Sequence, residues 1–128
     1  MLKDDYCFGC GKDNPIGLHL EFKFEGDKYF ATKVVPREYQ GYEGMVHGGI
    51  LTTMLDEAMA SYVKDKYGLK AVTGTLKMRY KSPTPTEQKL TITAWQESQR
   101  HNTYQMRATI STVDDTITTE ATAMMFAK

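Results

Sequence analysis

The 128-residue chain has no long hydrophobic run, no excess of charge of either sign and no internal repeat. No apolar stretch approaches the ~20 residues that a membrane-spanning helix requires. The opening residues, Met1-Leu2-Lys3-Asp4-Asp5, lack the apolar run of a secretory leader. Sixteen basic residues cancel sixteen acidic ones, so no field invites nucleic acid or an anionic membrane. A cytoplasmic protein with neither of those partners is expected. Cysteine is scarce too, with two residues in "CFGCG", Cys7 to Cys10. A structural zinc needs four ligands, and there is no second CxxC. His19, nine residues on, is not at a recognised ligand spacing. Two chains could pool their thiols, but a reduced structural turn with no metal and no cofactor is the expectation.

The length fits a single domain over 1–128, large enough to build a core without disulfides. Eight Met, eight Tyr and five Phe supply that core or a pocket. Leu18, Leu20, Phe22 and Phe24 alternate with His19, Glu21 and Lys23, the period of a half-buried strand. Glu25 to Lys28 reads as a turn, and Tyr29 to Val35 as the returning strand. Residues 36–49 hold Pro36, Gly41, Gly44, Gly48 and Gly49, which makes a long loop of the kind that often carries function. A helix is expected from about Ile50 to Tyr67, stopped by Gly68. Ile50, Leu51, Met54, Leu55, Ala58, Met59 and Tyr62 form its apolar face. Asp56 lies opposite, in a stripe with Thr52, Thr53 and Ala60, and Glu57 lies on the other flank. Period 2 then resumes over Val72 to Tyr80, and "SPTPT" at 82–86 ends that strand. Leu90 to Gln96, Thr103 to Val113 and Thr116 to Phe126 complete the set. Short turns join antiparallel strands, and one helix must cover the sheet. The class is α+β.

"GMVHGGILTTMLDEAMASY", residues 44–62, holds the chemistry. Glycines at a helix start leave backbone N–H groups unpaired beside the positive end of the dipole, where an oxyanion is favoured. Such donors stabilise the tetrahedral intermediate of acyl transfer. A nearby carboxylate can act as general base or nucleophile. The same residues also suit a plain loop followed by a solvated helix face, and the pattern by itself leaves both open.

"HGGILTTMLDEAM" resembles the HGG-x6-D signature of PaaI-like acyl-CoA thioesterases of the 4-hydroxybenzoyl-CoA thioesterase superfamily. "VTGTLKMRYKSPTP" is similar to that family's third strand, and "CFGCGKDNPIGLHLEF" to the opening of one of its subgroups. The resemblance covers nearly the whole chain and implies the hotdog fold, an antiparallel sheet wrapped around one long central helix. It implies hydrolysis of an acyl-CoA, with Asp56 as the catalytic carboxylate and the amides of Gly48 and Gly49 as oxyanion donors. His47 would position the carbonyl, and Thr73 would assist the water. Gln40 is the amide nearest to the one that many relatives carry upstream of HGG. Met54 and Met59, with Met45 and Tyr62, suggest an apolar substrate lining. Ser82 stands where relatives often have Arg before the proline, which leaves Arg79, Lys81 and Arg100 as candidates for CoA phosphate. Two rivals remain. One is an acyl-thioester hydratase or dehydratase using Glu57 and His47, and the other is a non-catalytic acyl-CoA-binding module.

The resemblance also implies a homo-oligomer, a dimer or a dimer of dimers. Geometry points the same way. Gly48 and Asp56 are eight residues apart, roughly 12 Å along a helix, whereas a reacting carbonyl needs donor and base each within about 3 Å. A two-fold partner running the same helix antiparallel would set Gly49 of one chain facing Asp56 of the other.

Overall fold

Hydrophobic alternation and one helical stretch sort residues 5–127 into six strands around one α-helix. The computed structural model describes residues 5–127; the start of the segment read for a leader lies outside them. In chain order the elements are β1 (Lys23–Glu25), β2 (Lys28–Val34), a 3-10 turn (Arg37–Tyr39), α1 (Gly48–Tyr67), β3 (Ala71–Tyr80), β4 (Lys89–Arg100), β5 (Thr103–Ser111) and β6 (Ile117–Ala127). All pairings are antiparallel, in the order β1-β2-β4-β5-β6-β3. The helix packs against β3, β4, β5 and β6. This is the hotdog arrangement, an α+β fold with its core between helix and sheet.

Alternation places the core. In β4 and β5, Leu90, Ile92, Ala94, Tyr104, Met106, Ala108 and Ile110 are buried while their neighbours are open. From the helix come Leu51, Met54, Leu55, Ala58, Met59, Tyr62 and Val63. Tyr29 in β2 packs among Phe22, Phe24 and Tyr62, with ring centroids 5.3, 4.5 and 5.4 Å away. Its hydroxyl donates to Asp65 at 2.6 Å, tying the end of α1 to the sheet. Burial and the Asp65 carboxylate push that phenol well above the usual tyrosine range.

Several boundaries differ from expectation: β4 runs on past Gln96 to Arg100, β5 stops at Ser111 short of Val113, and two others have identifiable causes. The helix begins at Gly48 and not Ile50, because His47 caps it: Nδ1 of His47 accepts the Gly49 N–H at 2.9 Å. The alternating run from Leu18 becomes a strand only at Lys23. His19 sits at φ 53, in the left-handed region, which breaks the extended backbone. The amides of Leu18 and Leu20 instead donate to Phe8 and Gly9, at 2.7 and 2.9 Å. Both leucines are buried as their spacing predicts, but the cysteine loop pairs with them in place of a strand.

β3 is unlike the other long strands. It forms an outer edge of the sheet, and most of its residues are exposed, Val72 and Tyr80 among them. Ten residues of open edge invite another strand.

Candidate active site

The start of α1 carries one group of candidate residues. His47 holds an extended backbone, and its ring caps the helix through Nδ1. An accepting Nδ1 places the proton of the neutral ring on Nε2, which leaves Nε2–H as a donor. The Gly49 amide is thus occupied by His47. The Gly48 N–H has no hydrogen-bond partner among the described residues, so of the two expected oxyanion donors Gly48 is the free one.

Gly48 and His47 open onto a cavity of about 730 Å³, within the usual size of a small-molecule site. Tyr42, Met45, Val46, Leu51 and Pro83 supply apolar walls. Tyr80 also lines it, and sequence reasoning placed Tyr80 only on a strand face. Its hydroxyl lies 2.5 Å from Thr52 Oγ1 and donates to the Gly48 carbonyl at 3.2 Å. The first turn of the helix is thereby fastened to the end of β3. No period could reveal that contact, because it joins residues 28 apart.

Gln40 stands behind this wall. Its Oε1 accepts the Gly44 N–H at 3.2 Å, and its backbone bridges Val46. It shapes the loop and does not line the cavity; the neighbouring Gly41 does. Lys81 also borders the cavity. Arg79 faces Glu120 at 3.8 Å, and Arg100 lines a different hollow of about 380 Å³ with Ser98 and His101. Met54 and Met59 lie away from this cavity. Both have no exposure, lie in the core cluster and do not border the cavity. Within this chain the sheet covers that apolar stripe of the helix.

The other group of candidate residues lies eight residues along the helix. Asp56 is half-buried, and Thr73 Oγ1 donates to its Oδ1 at 2.5 Å, the length of a charge-assisted O–H···O⁻ bond. The next strand residue, Gly74, passes so close to Phe126 that an added Cβ would lie 2.2 Å from its ring. A bulge at Thr73–Thr75 accommodates this approach. Neither Asp56 nor Thr73 borders the cavity at Gly48. Within one chain the carboxylate–hydroxyl pair and the amide–cavity pair are separate places.

Glu57 turns elsewhere. Its Oε2 accepts from Ser61 at 3.1 Å, and its Oε1 accepts from the Cys7 thiol at 3.5 Å. Burial, and then the facing Glu57 carboxylate, push the Cys10 thiol well above the usual range. Protonated in this state, it is a poor nucleophile.

Known proteins share this fold. A crystal structure of a thioesterase superfamily protein superimposes at a TM-score of 0.81 with 25% identity, covering 89% of this chain and 59% of that one. This chain thus spans well under two thirds of that relative. A hypothetical thioesterase protein with coenzyme A from Streptococcus pneumoniae TIGR4 matches at a TM-score of 0.76 and 26% identity, over 85% of each chain. The PaaI protein of E. coli, from the phenylacetic acid degradation operon, shares the fold at a TM-score of 0.76 and 20% identity, over 85% of this chain and 83% of its own. No curated protein sequence matches. The thioesterase superfamily model matches residues 43–119, a span that runs from the loop before His47 through Asp56 and Thr73 to the start of β6. The chain belongs to the thioesterase superfamily.

Proposed function

We propose that the protein hydrolyses an acyl-CoA thioester to the free acid and CoA at a site built from two chains. The observation that carries this reading is the Asp56–Thr73 pair at 2.5 Å. A carboxylate held by one oxygen keeps its other oxygen for chemistry. Asp56 takes a proton from water, and the water oxygen adds to the thioester carbonyl. The oxyanion forms against the Gly48 amide at the positive end of the helix, with His47 Nε2–H at the same carbonyl. When the intermediate collapses, the C–S electron pair goes to sulfur and the proton on Asp56 follows it. Direct attack by Asp56 on the carbonyl, through an anhydride that water then opens, uses the same groups.

The separation of the two half-sites supports a dimer. The open edge of β3 gives a second copy a strand to pair with, and an antiparallel second helix would set Gly48 of one chain opposite Asp56 of the other. Coenzyme A in the pneumococcal relative supports a CoA substrate here, and the apolar walls beside Gly48 suit an acyl group. Glu57 does not favour dehydration: its carboxylate is engaged by Ser61 and Cys7 and does not border the cavity.

The test is a panel of short, long and aryl acyl-CoAs, followed by release of free thiol. Release that depends on Asp56 is the expected result. Binding without release for every member would leave a non-catalytic module, and hydration of an enoyl-CoA would leave a hydratase.

A further inference from the structure

The CFGCG loop lies over the middle of α1. Cys7 Sγ, Cys10 Sγ and a Glu57 carboxylate oxygen all fall within 4.8 Å of one another. The sequence offered a CxxC with no further ligands nearby in the chain. The fold brings the third from a helix 50 residues beyond Cys7.

Three further observations bear on what this cluster holds. First, the loop is set before any ligand arrives. The Gly11 N–H donates to Cys7 O at 2.8 Å, and the Leu18 and Leu20 amides bond Phe8 and Gly9. Second, Gly9 lies against the carboxylate, and an added Cβ there would lie 2.5 Å from Glu57 Oε1. The missing side chain is what lets the two thiols close over Glu57. Third, Glu57 is half-buried, and among the described residues neither ion pair involves it. No lysine or arginine among these residues competes with a metal for its oxygens.

We propose that Cys7, Cys10 and Glu57 bind a thiophilic divalent cation of the zinc class, one per chain, with a water at the fourth position. Tetrahedral zinc, at about 2.3 Å to sulfur and about 2.0 Å to oxygen, sets its S···O edge at about 3.5 Å. The distance from Cys7 Sγ to Glu57 Oε1 is 3.5 Å. Binding displaces one proton from each thiol; the two thiolates balance the dication, and the Glu57 carboxylate leaves the bound site with one net negative charge. Ser61, donating to the second carboxylate oxygen at 3.1 Å, fixes the orientation of Glu57 as an outer partner does. The ion would staple residues 7–10 to α1 directly beside Asp56. This site is distinct from the Asp56–Thr73 pair and does not depend on the chain's being a thioesterase.

The full-length chain, kept reduced, is loaded with zinc, passed through a desalting column and assayed for metal. Cobalt(II) replaces zinc in a parallel sample. The proposal expects about one metal per chain, and cobalt spectra with thiolate charge-transfer bands and the intense visible bands of a tetrahedral site. Glu57→Gln, which keeps the shape, should weaken zinc by at least about tenfold, and Cys10→Ser should abolish the thiolate bands of its share. The melting temperature of the wild type should rise with zinc, and that of Glu57→Gln should rise less. Less than about 0.1 metal per chain in the folded wild type would overturn the proposal. So would metal retained equally by wild type, Glu57→Gln and Cys10→Ser.

Discussion

Replacing Thr73 by Val removes one hydroxyl and almost no volume. That hydroxyl donates to Asp56 Oδ1 at 2.5 Å, and a hydrogen bond to a charged group is worth about 1.5–3 kcal/mol. If the bond aims the free oxygen of Asp56 during the reaction, its loss appears in the barrier, and kcat/KM falls roughly 10- to 150-fold. Stability should fall by no more than that bond is worth, because Val is well accommodated on a strand and water can reach the half-buried carboxylate. The assay compares thiol release by wild type, Thr73→Val and Thr73→Ser under the same conditions, with a thermal melt of each. Thr73→Ser keeps the donor and should retain most of the activity. A Val variant within about twofold of wild type would refute the argument, since the 2.5 Å contact would then be irrelevant to the chemistry. A Ser variant as slow as the Val variant would show that the hydroxyl alone, without the methyl that fixes its rotamer, does not suffice.

Other substitutions divide the site from its surroundings. Asp56→Asn removes the base or nucleophile at constant shape, and hydrolysis should fall by at least ~10²-fold while the circular dichroism spectrum persists. Glu57→Gln should be much milder on hydrolysis; a dead Glu57→Gln beside an active Asp56→Asn would hand the assignment to the dehydratase reading. Met59→Ala opens a hole in a fully buried position and should cost about 2–5 kcal/mol in denaturant unfolding. Unchanged stability with altered acyl-chain preference would return Met59 to the substrate lining.

Period and punctuation carried most of the fold, and they worked where each element has one covered face. β4 and β5 alternate cleanly because only one side of each meets the helix. They worked less well where another segment intervenes. Leu18 and Leu20 alternate as strand residues do and are buried as such, yet the cysteine loop takes their amides and His19 leaves the extended region. On the helix, spacing separates Asp56 from the apolar face but does not say what covers each flank. Thr73 lies over one flank and the CFGCG loop over the other. Only the fold distinguishes those two neighbouring carboxylates, and it gives Asp56 a hydroxyl and Glu57 two thiols. Met54 and Met59 show the converse difficulty, since an apolar residue reads alike in a core and in a pocket. Tyr80 escaped notice because its partners, Thr52 and Gly48, lie in another element.

The central claim is that Gly48 of one chain and Asp56 of another serve one carbonyl, and complementation tests it directly. Gly48 is the first helical residue, a position that favours Pro, whose missing N–H is unpaired there in any case. His47 before it has φ −60 and ψ 137, which a following Pro accepts. Gly48→Pro therefore deletes the free amide and spares the helix, and should lower hydrolysis by about 10²–10³-fold. Asp56→Ala deletes the carboxylate. Neither variant alone should hydrolyse acyl-CoA appreciably. Mixed after complete subunit exchange, half of the dimers pair one variant with the other, and each such dimer holds one intact site of two. The account predicts recovery of about a quarter of wild-type activity. A mixture as inactive as its parents, with exchange demonstrated, would place the whole site within one chain and contradict the account.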